Sequence, residues 1–268
     1  MRLTILLAFC FTIIFTSCSP YQKVYKGDDV GAKFVFADSL YQLGKYKKAL
    51  KLMEQIVPAY RGKPQAERLM FIYANTFYKM EDYYLAGYQF ERFEVSYPTS
   101  DSVEVAGYKS AKSYSELSPR FSLDQRDTDK ALEKLQEYVN KYPNGEYRIE
   151  ANALVAELRD KLEKKDIKVA QQYLRISDYK PAIAAFDNFI SDHPGSKYRK
   201  DAFYGRFDAA YQLAINSIPQ LVQERLVSAK NYYQSFVKYY KKDAELMKDA
   251  EDILTDINKR LNIAEPTS

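Results

Sequence analysis

Few residues of this 268-residue chain have the types and spacing that chemistry requires. The segment GDDVGAK, Gly27 to Lys33, resembles a phosphate loop only in outline: its glycines are four apart instead of five, and no Ser or Thr follows Lys33. The single histidine, His193, cannot supply a histidine-pair zinc site, and the two cysteines, Cys10 and Cys18, do not both survive in the mature chain to replace it. Asp124, Asp127 and Asp129 lack the Gly and the closing Glu of a calcium loop, and they read as capping and first-turn acids of a helix. His193 occupies the place before a proline that Tyr97 and Tyr142 hold elsewhere, which predicts a ring packed at a turn. No catalytic group, metal or cofactor is expected, and the chain reads as not an enzyme.

Cys18 is the exception. Leu3 to Phe15 form an apolar run behind Arg2, shorter than the ~20 residues that span a hydrocarbon core and of the kind found in a secretory leader. Thr16 and Ser17 then lead into Cys18, an arrangement that resembles the lipobox of bacterial lipoproteins, with Phe15 and Ser17 where the usual motif has Leu and Ala or Gly. The resemblance implies removal of residues 1–17 and diacylglyceryl and N-acyl chains on Cys18. A plain cleaved signal peptide with a chance cysteine is the other reading. Cys10 leaves with the leader, so no disulfide is expected. Two or three acyl chains, at about 0.8 kcal/mol per buried CH₂, hold a protein on a membrane. Ser19, instead of Asp, after the cysteine implies by resemblance to sorting rules the outer membrane, on its periplasmic face.

The chain carries a formal charge of +4 with basic and acidic residues intermixed, which does not favour nucleic acid. Tyr is in excess at 25 residues without any Trp, while only 9 Gly and 10 Pro are present. That composition predicts long helices over strands.

A repeat runs through the sequence. LGKYKKALKLMEQI, MEDYYLAGYQFERF and ISDYKPAIAAFDNF each place a Tyr (46, 83, 179) three residues before an Ala (49, 86, 182), with an apolar residue four further on (Met53, Phe90, Phe186). Ala37, Ala74 and Ala111 recur every 37 residues upstream. Such self-similarity marks stacked helical hairpins, because one hairpin is too thin to bury both faces alone. The pattern resembles the tetratricopeptide repeat, and Glu81 and Ser177 stand where Gly44 fills the turn. The expected fold is all-α: a superhelix of about five tetratricopeptide-like hairpins with a C-terminal cap helix striped by Leu246, Ala250, Ile253, Leu254, Ile257 and Leu261. The third hairpin is interrupted by SELSPRFSLDQRD, expected to stand off as a loop, and the fourth is expected from about Lys165 to Ile190.

Stacked first helices line a groove. Counting from Val30, the groove-facing slots hold Phe34, Asp38 and Tyr41 in the first repeat, Phe71, Asn75 and Tyr78 in the second, and Tyr108, Lys112 and Glu116 in the third. Tyr and Phe offer rigid contact area to an extended polypeptide, while Asn and Lys can bond its backbone or terminal carboxylate. Packing between repeats is the competing role for each ring.

The lipobox, the hairpins, the YPNGEY and HPGSKY turns and the stretch LDQRDTDKALEKLQEYVNKYPNGEY together resemble the BamD (YfiO/ComL-like) family of outer-membrane protein assembly lipoproteins. The resemblance implies a subunit of the β-barrel assembly (BAM) complex that binds unfolded outer-membrane protein precursors and promotes their folding and insertion. It implies a lipidated tether at 18–30 and an N-terminal repeat half at 31–165 with the precursor groove. A C-terminal half at 166–268 would dock on the periplasmic POTRA domains of a BamA-like central barrel subunit. The alternative is a periplasmic repeat scaffold that coordinates cell-envelope or peptidoglycan enzymes.

Overall fold

The computed structural model describes residues 20–264, so Cys18 and the leader lie outside the described residues. Twelve helices and no strand occur among them. They are α1 (Pro20–Lys26), α2 (Val30–Gln42), α3 (Tyr46–Tyr60), α4 (Ala66–Lys79), α5 (Tyr83–Ser96) and α6 (Val103–Glu116). There follow α7 (Arg126–Lys141), α8 (Arg148–Arg175), α9 (Tyr179–Asp192), α10 (Arg199–Ile215), α11 (Pro219–Tyr240) and α12 (Ala244–Ala264). Paired in order from α2, they form five hairpins and a terminal helix: the all-α repeat array that the spacing predicts. None of the helices is long and apolar enough to cross a membrane.

Three of the five hairpin turns are closed in the same way. Gly44, Glu81 and Ser177 adopt left-handed backbone, with φ of 69°, 62° and 62°. The amide after each reaches back over the helix end: Lys45 to the Leu40 carbonyl at 2.8 Å, Asp82 to Phe77 at 3.0 Å and Asp178 to Tyr173 at 2.9 Å. This arrangement satisfies carbonyls that a helix terminus leaves without partners, and glycine enters it at least cost. Asp82 then caps α5 by accepting from Leu85 N, as Asp29 caps α2 by accepting from Ala32 N.

The repeated alanines are the contact points. Ala37, Ala49, Ala74, Ala86 and Ala182 are fully buried, as are Met53, Phe90 and Phe186. Full burial of a Phe side chain stabilises by about 2–3 kcal/mol. The hairpin tyrosines close the mouths of the first two repeats, where Tyr46 meets Tyr41 and Tyr83 meets Tyr78, each at 5.7 Å between ring centroids. Tyr97, Tyr142 and His193 pack one turn back on Phe93, Tyr138 and Phe189. His193 is therefore the turn ring that its position predicts, and its Nε2 also lies 3.2 Å from Asp166.

Two compact units divide the described residues, the first comprising 20–119 and 126–155 and the second 120–125 and 156–264. Three local details differ from expectation. The first helix of the fourth hairpin begins at Arg148 instead of near Lys165, because no Gly or Pro interrupts 148–175. Residues 120–125 of the insert do not stand off. Within the second unit Phe121 lies under Lys164 Nζ at 4.8 Å, the Leu123 carbonyl accepts from Lys165 Nζ at 2.7 Å, and the Gln125 amide donates to the carbonyls of Arg120 and Leu123. Residues 20–26, placed in the tether on sequence, are helical, and Tyr21, Val24 and Tyr25 pack on the first core. In α12, Leu246, Ala250, Ile253, Ile257 and Leu261 join the core of the second unit.

Candidate functional site

The first helices of repeats one to three (α2, α4 and α6) carry a row of polar contacts across the first unit. Arg68 pairs with Asp38 at 2.8 Å. The Asn75 amide donates to the Tyr41 hydroxyl, and its carbonyl oxygen accepts from Lys109 Nζ at 2.6 Å. Helix ends repeat every 37 residues, yet these partners are 34 apart in sequence. Neighbouring parallel helices thus meet one turn out of step with the repeat.

Lys109 is half-buried and held over three rings, 5.8 Å from the centre of Phe71, 5.5 Å from Tyr78 and 5.9 Å from Phe90. Cation–π contacts of this kind contribute about 0.5–2 kcal/mol each, more when water is excluded. Burial pushes the Lys109 ammonium pKa down, and the neighbouring charges of Lys79 and Lys112 push it further. An incoming anion would relieve that crowding. Burial likewise raises the Tyr41 hydroxyl, partly offset by the Asn75 hydrogen bond, so the group remains a neutral donor.

Beside this row lies a cavity of about 710 Å³ lined by Tyr41, Gln42, Glu67, Arg68, Phe71 and Ile72 among others. Of the nine groove residues named on sequence, Tyr41 and Phe71 line this cavity, and Asn75 and Tyr78 connect to it through Lys109. Asp38 is engaged by Arg68. Phe34 stacks on Tyr60 of its own hairpin at 5.2 Å. Tyr108 is buried against Tyr147 at 4.5 Å, with Lys112 Nζ 5.9 Å from its ring. Phe34 and Tyr108 therefore sit in hairpin packing, whereas Phe71 both packs edge-on to Phe90 and Phe93 and faces the cavity.

Sequence slots overlooked Lys109 and Arg68. The slots repeat every 37 residues and assign the third cation to Lys112, while cross-helix contacts fall at 34. The series Tyr41, Asn75, Lys109 carried that signal. No cluster of three His, Cys, Asp or Glu side chains suited to a metal occurs among the described residues.

A family profile described as "YfiO: Outer membrane lipoprotein" matches residues 31–184. Among curated proteins, the chain is similar to "Outer membrane protein assembly factor BamD" of Caulobacter vibrioides, at 29% identity over 47% of this chain and 41% of that protein. The protein of the same name from Rickettsia prowazekii is 21% identical over 78% of this chain and 81% of its own. That of Neisseria meningitidis is 24% identical over 86% and 92%. A solved thermophilic TPR protein of Thermus thermophilus aligns with 84% of this chain and 99% of its own at 16% identity, with a TM-score of 0.31. More than half of the chain falls within the matched profile, and it belongs to the YfiO family of outer membrane lipoproteins.

Proposed function

We propose that this chain is the lipid-anchored subunit of an outer-membrane β-barrel assembly complex, receiving unfolded barrel precursors in the groove of its first unit. Cys18 would carry the diacylglyceryl and N-acyl groups that hold it to the periplasmic face of the outer membrane. Helices within 166–268 would dock on the periplasmic domains of a BamA-like central subunit. The names of the curated relatives support the assembly role. It acts by binding alone, with no enzymatic step and no cofactor.

One observation carries the groove reading: Lys109 lies among Phe71, Tyr78 and Phe90, next to the cavity that Tyr41 and Phe71 line. An ammonium has three donors, and one is directed to Asn75. The others can meet the carboxylate of a chain that ends in an aromatic residue, whose ring enters the cavity. Charge-assisted hydrogen bonds of this kind are worth about 1.5–3 kcal/mol. Binding the extended end of a barrel strand keeps an aggregation-prone segment covered until it pairs in a sheet.

The test uses a peptide ending in Phe, with its carboxylate free or amidated, and measures affinity by fluorescence anisotropy. The free acid should bind about tenfold more tightly, a difference of ~1.4 kcal/mol, and Lys109→Met should erase the difference. Phe71→Ala with Tyr78→Ala should weaken both peptides. Because Phe71 also packs on Phe90 and Phe93, helical content and thermal midpoint are read alongside. Equal affinity of the unmodified protein for acid and amide would remove the carboxylate from the reading. Extraction from the envelope in mild detergent should bring down a large barrel protein with periplasmic domains. Recovery of envelope-remodelling enzymes instead would favour the scaffold alternative.

A further inference from the structure

A second feature of the first unit lies beside the groove and outside its cavity. Between Val30 and Met53 the chain has five lysines and one acid, Asp38, which is paired with Arg68. Lys45, Lys47 and Lys48 at the start of α3 and Lys79 at the end of α4 line a single concavity of about 550 Å³, with Tyr46 and Met80. All four lysines are exposed. Of the nearby aspartates, Asp29 and Asp82 are engaged in helix caps. The cluster is also fixed to the amino-terminal end of the described chain. Lys48 Nζ sits 5.4 Å from the Tyr21 ring centre, and the Tyr21 hydroxyl reaches the Lys48 carbonyl at 3.5 Å. α1 adds the exposed Lys23 and Lys26.

We propose that this lysine cluster is a membrane-docking face that binds the phosphate-bearing headgroups of anionic lipids. The proposal rests on the reading of Cys18 as the lipid anchor. Cys18 precedes Tyr21 by three positions, so its Cα lies no further than about 11 Å from the Tyr21 Cα. Lys48, which Tyr21 touches, is then carried towards the headgroup layer together with the lysines that share its concavity. Each lysine at an anionic surface strengthens partition by about fivefold. The acyl chains hold the protein to the bilayer, and the lysines choose which side of the first unit faces it.

The test is flotation of the unacylated chain from Ser19 onward, which contains every described residue, with phosphatidylcholine vesicles with and without phosphatidylglycerol. Binding is expected only to the phosphatidylglycerol vesicles and should fall steeply with salt. Replacing Lys45, Lys47, Lys48 and Lys79 together by Gln should reduce it by roughly five-hundredfold. The same charge removed at Lys238, Lys241, Lys242 and Lys248 should reduce it far less. Absence of binding, or equal loss from both sets, would overturn the proposal. Because this chain has no acyl group, the result is independent of the anchor, and intact-mass measurement of the envelope protein tests Cys18 separately. Protection of the four lysines by an acidic protein but not by anionic vesicles would also overturn it and make the cluster a protein contact.

Discussion

Asn75 shows how one side chain ties three helices together. It is 5% exposed, donates to Tyr41 and accepts from Lys109. Replacing it with Leu removes both bonds and leaves a half-buried hydroxyl and an ammonium without that partner, at a cost of about 1–3 kcal/mol. Chemical denaturation should show this as a lower midpoint, and the double variant with Lys109→Met should lose less than the sum of the singles. A strictly additive pair would mean that the two side chains do not act together. In the second unit, Arg206 is buried, pairs with Asp187 and lies 4.5 Å from the Tyr232 ring centre. Arg206→Lys keeps the charge but loses the planar fork, and should destabilise by about 1–2 kcal/mol in the same measurement. Neither role was legible in sequence. A cross-helix partner depends on how far one helix is offset from the next, and the 37-residue repeat conceals the 34-residue contact.

At the scale of the element, the hairpin turn is where sequence and strain meet. Gly44 takes its left-handed conformation freely, while Glu81 and Ser177 hold nearly the same φ with a Cβ attached. That conformation costs a non-glycine residue about 1–2 kcal/mol, partly offset by the chain entropy that a glycine would lose. Glu81→Gly and Ser177→Gly should therefore each stabilise by about 0.5–1 kcal/mol, read as a raised thermal midpoint. A fall at both positions would mean that the side chains contribute contacts that outweigh the strain. The opposite case is Gly205, where an added Cβ would run into the Phe186 ring. Gly205→Ala should destabilise by about 1–3 kcal/mol, and Phe186→Leu in the same chain should recover part of the loss. The turns and the Ala contacts were readable because one residue type decides each. The start of α8 and the docking of residues 120–125 were not, since the first is marked only by an absence of breakers and the second by contacts distant in sequence.

Across the whole molecule, tyrosine gives both units a shared sensitivity to alkali. Burial pushes the hydroxyls of Tyr114, in the first unit, and Tyr204, in the second, up to about 12, and it raises others such as Tyr78 and Tyr138. In the unfolded chain each would ionise near pH 10. A folded pKa above the unfolded one means that the stability it contributes is complete below about pH 10 and is lost as pH rises towards 12. Thermal midpoints should accordingly be level from about pH 7 to 9 and fall sharply by about pH 11. A flat profile to pH 11 would mean that these hydroxyls ionise as readily in the folded protein. The array itself was legible in the spacing of alanines and tyrosines, because in a repeat protein each unit contacts chiefly its neighbours and local pattern fixes most of the core. The row from Lys109 through Asn75 to Tyr41 has one further consequence. Every hydrogen in it points the same way, from α6 towards α2, so it behaves as an aligned chain of dipoles. Tyr41's own hydroxyl proton is the last donor, and cooperative polarisation makes it more acidic towards an acceptor than an isolated phenol in the same cavity. A ligand that touches only α2 would thus sense a positive charge seated two repeats away.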